Sequence, residues 1–434
     1  MNNSTQMHRR DFLKQTATLA AGVATFPAFA ASTSPNSKVR VAVMGCNARG
    51  MNHISGYNAL EDAEVVYVCD VDRRAIDKGI AAVEKAGKPR PKGTEDIRKV
   101  LEDKNVDAIS IAAPDHWHAP ATIMSCAAGK HVYVEKPGSH NAHEAELMVQ
   151  AARKHKRFVQ MGNQRRSWPW MIESIKAVHD GEIGDVYFAR GWYTNKRETI
   201  GRGKPAPVPE WLNYDLWQGP APERPYMDNI IHYNWHWFWN WGTGELGNNG
   251  VHALDIARWG LKVNLPKRIT CGGGRYFFQD DWETPDTILA SFDYGTKGIA
   301  WEGQSCAPRG FENSGFGVNF YGSNGTIVTT NNEALIYDKA NKLIRQISGK
   351  KKGELFGYDT VHFRNFLDAI KNGTPLRSEI EDGQRSTMLC HLGNIALRSG
   401  HTINFDQANN KIVGDPEAVK LWSRQYRPGW EPKF

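Results

Sequence analysis

VRVAVMGCNARG, residues 39–50, decides the fold. Val39 to Met44 is a nearly continuous apolar run, the pattern of a strand buried on both faces of a parallel sheet. Gly45 and Gly50 then take the first and third places of a G-x-G-x-x-G turn, which carries a strand into a helix beneath a dinucleotide pyrophosphate. Asn47 stands in the middle place, and Asn tolerates a left-handed backbone better than most residues. Gly45, Asn47, Ala48, Arg49 and Gly50 are therefore the expected pyrophosphate turn, with a helix running on to Leu60. A second strand, Glu64 to Cys69, ends in Asp70, roughly 25 residues beyond Gly45, where a carboxylate accepts hydrogen bonds from a ribose. Arg73 and Arg74 follow and can instead hold a 2′-phosphate, so NAD and NADP are both open. The alternative is a Rossmann-like domain that holds no nucleotide.

The alternation continues outward. Helices are expected over 73–85, 94–101, 119–128 and 141–155, and strands over Ala108 to Ala112, His131 to Val134 and Phe158 to Met161. Strands alternating with helices of this length give a parallel, doubly wound sheet. Ligands of such sheets lie beyond the carboxyl ends of the strands. There the chain places Pro114, His116 and His118, then Glu135-Lys136-Pro137, then Asn163 and Arg165. Pro114, His116, His118, Glu135, Lys136 and Asn163 are cofactor candidates. Arg165 is a substrate candidate.

Beyond residue 167 the period changes. Gly184 to Tyr193 alternates at period two, and strand-like runs recur at 268–278, 286–294, 297–303, 317–321 and 326–329. Ser323-Asn324-Gly325 reads as a hairpin turn. These make an α+β domain with a large, open, mostly antiparallel sheet. Helices over 359–371 and 382–399 close the fold, and the tail, 422–434, packs as an arm. Between the strands lies HYNWHWFWNW, residues 232–241, followed by a helix starting near Val251. That helix puts His252 and Asp255 on one face. A His there can take a hydroxyl proton while hydride leaves the same carbon. The alternative is a helix-start His packed on the tryptophans. Trp217, Trp235 and His236 are candidates for stacking on a sugar.

Here the sequence resembles the Gfo/Idh/MocA oxidoreductases. The resemblance runs from about Val39 through nearly all of the chain. It rests most specifically on E-K-P at 135–137, then on P-x-x-x-H at Pro114 to His118. It implies that Lys136 lies by the nicotinamide and the reacting hydroxyl. It also implies a C-terminal sheet that contacts substrate and often joins subunits, hence a homo-oligomer. Many members carry Asp-x-x-x-His where this chain has Asn248 and His252; Glu245 and Asp255 are the nearby carboxylates that can compensate.

The 434 residues suffice for two large domains, read as 38–165 (nucleotide-binding) and 166–434 (substrate and oligomer contacts). A formal charge of +7 is scattered, with no Lys/Arg block interleaved with aromatics, which argues against nucleic acid. Six cysteines without C-x-x-C spacing read as buried hydrophobes, and no metal site is expected. Residues 1–30 have the layout of a twin-arginine signal, with Arg9-Arg10, a mild apolar run and Ala28-Phe29-Ala30 as cleavage site; 31–37 is a linker. The apolar run is too short for a stable membrane span. The chain thus reads as an exported, periplasmic NAD(P)-dependent oxidoreductase of a sugar, with a tightly held cofactor recycled in each cycle. Two alternatives stand: an NAD-dependent enzyme cleaving glycosides through transient oxidation, and a sugar-binding protein without turnover. Asn47 and Asn248 lean toward the last.

Overall fold

The computed structural model describes residues 38–349 and 355–433. The expected signal and linker lie outside the described residues. The first sheet is built from β1 (Val39–Met44), α1 (Arg49–Asn58), β2 (Ala63–Cys69), α2 (Arg73–Lys85), β3 (Lys92–Thr94), α3 (Ile97–Glu102), β4 (Ala108–Ile111), α4 (Asp115–Ala127), β5 (His131–Val134), α5 (Ala142–Lys154) and β6 (Val159–Met161). Its six strands are all parallel, in the order β3-β2-β1-β4-β5-β6. Alternate residues of β1 feed two cores. Val39, Val41 and Val43 pack with Ile54, Ile80 and Phe363, whereas Ala42 and Met44 pack with Ile109, Ile123 and Met148. This two-sided burial is why the strand reads as an unbroken apolar run.

The second unit continues with α6 (Pro169–His179), β7 (Val186–Thr194), α7 (Tyr214–Gln218), α8 (Val251–Leu261), β8 (Arg268–Gly274), β9 (Thr287–Asp293), β10 (Gly298–Gln304), β11 (Phe316–Gly322), β12 (Gly325–Thr329), β13 (Glu333–Asp338), β14 (Leu343–Ser348), α9 (Leu355–Asn372), α10 (Ile380–Ser399), β15 (Ile403–Asp406), β16 (Lys411–Val413) and α11 (Pro416–Lys420). Ten strands form one sheet, antiparallel throughout except where β10 pairs with β7. Helices α6, α8 and α10 cover one face. The other is open, with Tyr187 and Leu289 more than half exposed. Helix α9 crosses back to the first sheet, where Phe363 packs so closely on Gly56 that a Cβ there would lie 2.5 Å from its ring. Among the described residues no helix is long and apolar enough to cross a membrane. The six cysteines are unpaired.

Several sequence expectations move. The helix expected from Thr94 begins at Ile97, because Lys92–Thr94 pairs with β2 and Asp96 caps the helix by accepting from Arg98 N. Helix α4 begins at Asp115, not Ala119, so His116 and His118 are helical and their rings leave in different directions. The strand expected through Phe278 stops at Gly274, leaving Tyr276 and Phe277 exposed. Asn47 does not use the left-handed region; Gly45 does, at φ +84°.

Candidate active site

The turn after β1 tolerates only glycine at two places. A Cβ on Gly45 would lie 2.6 Å from the Ala112 carbonyl, and one on Gly50 would lie 1.9 Å from the Gly45 oxygen. Beyond this turn opens a cavity of about 300 Å³, lined at this end by Gly45, Asn47, Ala48 and Asp70. Gly50 is buried beneath it. Asp70 accepts from the backbone N–H of Cys46 (2.5 Å) and of Asp72 (2.9 Å). Burial pushes its carboxyl up to about 6, against those hydrogen bonds. A glycine cradle at a helix start, with a carboxylate ending the next strand, fits a dinucleotide. Arg73 is a correction: it pairs with Glu95 at 2.7 Å and does not line the cavity. Arg74 pairs with Asp72 and lies 3.4 Å over the Trp211 ring. Glu95 itself lines the cavity.

Glu135-Lys136-Pro137 forms the next wall, with a cis bond between Lys136 and Pro137. Glu135 is buried yet ionised. Burial opposes its charge, but Arg49 at 2.7 Å and His53 at 3.1 Å hold the carboxyl well below the usual range. Arg49 also reaches Asp359 at 2.6 Å, so it bridges α1, β5 and α9 while lining the cavity. His118 bridges the carbonyls of Ala113 (2.7 Å) and Pro137 (2.6 Å), tying the end of β4 to this turn. Pro114 lines the cavity, but His116 is a correction. Its Nε2 meets the Trp217 carbonyl at 2.8 Å, outside the lining. Asn163 is likewise buried outside the lining, both side-chain polar atoms without a protein partner.

Lys136 Nζ donates to the Asn248 carbonyl (2.9 Å) and to Asn248 Oδ1 (3.2 Å). Asn248 sits in a π-helical turn, Leu246–Gly250, that leads into α8. Burial lowers the Lys136 pKa, opposed by the charges of Glu135, Asp115 and Glu245. Asn248 Nδ2 in turn faces Glu245 Oε1 at 3.5 Å. The nearest carboxylate along this path, Glu245, is thus one side chain removed from Lys136. Glu245 also accepts from Arg197 and Ser305, both at 3.1 Å.

The far wall carries Trp217, Trp235 and His236, and also His232 and Tyr233. His236 stacks on Trp235 at 3.6 Å and donates Nδ1–H to the Tyr233 carbonyl at 2.6 Å, which leaves Nε2 as an acceptor. Burial takes its pKa down to about 3. His252 is half-buried, makes no hydrogen bond to the described residues and stays neutral; burial, then the charges of Lys136 and Arg165, hold its pKa well below the usual value. Arg165 lies between the Trp168 and Phe316 rings and donates to Asn331 at 2.9 Å; burial brings it down to about 9. Neither His252 nor Arg165 is in the cavity lining. Asp255 is a correction. It is buried and holds Arg166 (2.8 Å) and Ser386 (2.7 Å), so it braces α8 against α10 and does not face the cavity. The sequence reading did not single out Glu95, His232 and Tyr233, which line the cavity, or His53, whose place four residues past Arg49 on α1 is the signal that marks it.

Comparison with known proteins agrees with this geometry. Residues 39–163 match "Oxidoreductase family, NAD-binding Rossmann fold", and residues 189–271 and 330–432 match "Oxidoreductase family, C-terminal alpha/beta domain". The chain belongs to the Gfo/Idh/MocA oxidoreductase family. Within it, the chain is similar to a glycosyl hydrolase family 109 protein of Shewanella baltica, 23% identical over 94% of this chain and 96% of that one. An alpha-N-acetylgalactosaminidase of Shewanella oneidensis is 22% identical over 92% and 95%. A levoglucosan dehydrogenase solved with NADH and L-sorbose shares the fold, with a TM-score of 0.68 at 17% identity, over 86% of this chain and all (100%) of that one.

Proposed function

We propose that this family member is a sugar-active enzyme that keeps NAD bound and uses it within each catalytic cycle. The observation that carries the proposal is Lys136 Nζ, anchored on Asn248 at the end of the glycine-cradled cavity and opposite an aromatic wall. NAD, held by the Gly45–Gly50 turn and Asp70, supplies a hydride acceptor for a sugar carbinol carbon. NAD is preferred to NADP because both nearby arginines are spent on carboxylates and Glu95 faces the ribose end. Burial shifts Lys136 toward the neutral amine, which takes the hydroxyl proton. His252, uncharged, is a second proton acceptor. Trp217 and Trp235 offer faces for the sugar ring.

A second reading uses the same residues to cleave a glycoside. Once a ring carbon is a ketone, the neighbouring C–H is acidic; His252 removes that proton, and the glycosidic oxygen leaves from the next carbon and is released protonated as the alcohol. Water adds across the resulting double bond, and the hydride taken in the first step returns to the ketone. The relatives spanning most of the chain, named as glycosyl hydrolases and an alpha-N-acetylgalactosaminidase, favour it. Assay in D2O separates the two. Cleavage leaves deuterium on a ring carbon and releases an aglycone. Sugar oxidation coupled to reduction of a second sugar releases none.

Export by the twin-arginine route is part of the proposal, since that route carries folded proteins with cofactor in place. So is a homo-oligomer formed through the open face around Tyr187 and Leu289.

A further inference from the structure

A second cavity, of about 340 Å³, opens behind the active site. Thr243 lines it, and the hydrogen bond from Thr243 to Asp115 at 2.6 Å belongs to the wall between the two cavities. The start of α5, the last turns of α10, the 222–243 segment and the C-terminal tail enclose it.

Four buried polar atoms on its lining residues have no protein partner: both ring nitrogens of His140, Asn141 Nδ2 and Arg424 Nη1. Asn141 is only 7% exposed. Burial holds the His140 pKa well below its usual value, so one of its ring nitrogens is an N–H donor and the other an acceptor. With Asn141 Nδ2 and Arg424 Nη1 the cluster holds three orphaned buried donors, which are costly and mark a place for an acceptor. Charge says which kind. Arg398, at the rim, makes no hydrogen bond or ion pair with the described residues and only lies 4.8 Å from the Trp239 ring. Arg424 spends Nη2 on the Asn240 carbonyl. No lining residue is acidic. The surrounding carboxylates are committed: Glu144 to His140 N and Tyr426, Glu283 to Arg224 and Trp239 N, Glu417 to Lys420. The N-terminal end of α5, at Asn141 and Ala142, adds partial positive charge, which the Glu144 carboxylate in its first turn offsets in part.

We propose that this cavity is an oxyanion site, taking the phosphate or carboxylate group of a small molecule on Arg424, Arg398, Asn141 and His140. It does not depend on the reading of the active site.

The test is titration of the full chain, saturated with NAD so that the dinucleotide turn is filled, with inorganic phosphate and separately with glucuronate. Thermal unfolding and calorimetry are the readouts, with chloride at matched ionic strength as reference. The account expects at least one of the two oxyanions to raise the unfolding midpoint above the chloride reference. Phosphate alone identifies an inorganic oxyanion site, and glucuronate alone a site for an acidic sugar. Arg424→Gln should weaken that binding roughly tenfold, the cost of one hydrogen bond to a charged group. Arg398→Glu, a rim substitution that spares the fold, should weaken it as well, with NAD affinity unchanged in both. Binding no stronger than chloride for both oxyanions, loss of the response on NAD saturation, or an undiminished response in Arg398→Glu would each overturn the proposal.

Discussion

At the scale of single residues the account turns on Lys136 and its neighbours. Lys136→Ala should lower turnover by about 10²–10⁴-fold, the usual worth of a positioned proton acceptor, while NAD affinity stays unchanged. Equal losses of both would make Lys136 a cofactor ligand only. Asn248→Asp puts a carboxylate where the lysine now meets an amide. An adjacent opposite charge favours the ammonium, so the pH at which activity switches on should rise by roughly 1 unit, with less activity at neutral pH. A pH–rate profile that does not move would show that Lys136 is not the titrating group. Asp70 gives a third check. Its carboxyl sits at about 6 in the free chain, and the charged form is the better acceptor for ribose hydroxyls. NAD affinity should therefore fall as pH drops below about 6, and binding near that pH should release protons. Asp70→Asn should flatten that dependence; calorimetry in buffers of different ionisation enthalpy measures it.

At the scale of elements, what was legible in the sequence follows what each element buries. Strands β1, β4 and β5 are covered on both faces, so their apolar runs read directly. β15 and β16, at one end of the second sheet, mix exposed polar residues with few apolar ones and carry no such signal. β14, at the other end, leaves Leu343 and Ile344 half-exposed. Helical spacing told which residues share a face of α8, but not what that face meets. His252 lies outside the cavity lining without a hydrogen bond to the described residues, while Asp255 meets Arg166, a residue 89 positions away. Of the two carboxylates that the sequence offered beside Asn248, it is Glu245 that meets it, but the contact from Lys136 through Asn248 to Glu245 was not legible, because a π-helical turn changes which side chains align. Asp255→Ala tests the structural assignment. It removes one of the two carboxylates paired with the buried Arg166, Asp382 being the other, and should cost about 3 kcal/mol in denaturant unfolding, the low end for breaking a buried pair, with NAD affinity of the folded fraction unchanged. A fully stable variant with weakened sugar affinity would return Asp255 to the substrate.

At the scale of the whole molecule the two sheets share one structural device. The last helices cross between them, and the tail packs Trp430 edge-on against Trp117 of α4 and pairs Arg427 with Asp215 of α7. The sequence led to the expectation that these helices close the fold and that the tail packs as an arm, but not which residues they meet, since every partner is distant in the chain. The open face of the second sheet is where copies are proposed to meet. Leu289→Glu together with Tyr187→Glu should shift the mass measured by light scattering to that of the monomer, with NAD binding intact; an unchanged mass would place the subunit contact elsewhere. The central claim, that this chain keeps NAD as a resident cofactor, has a direct test. The protein is purified without added nucleotide and denatured, and the released small molecules are weighed by mass spectrometry. The account predicts NAD in near-stoichiometric amount. An empty protein that also fails to bind NAD or NADP on titration would contradict it.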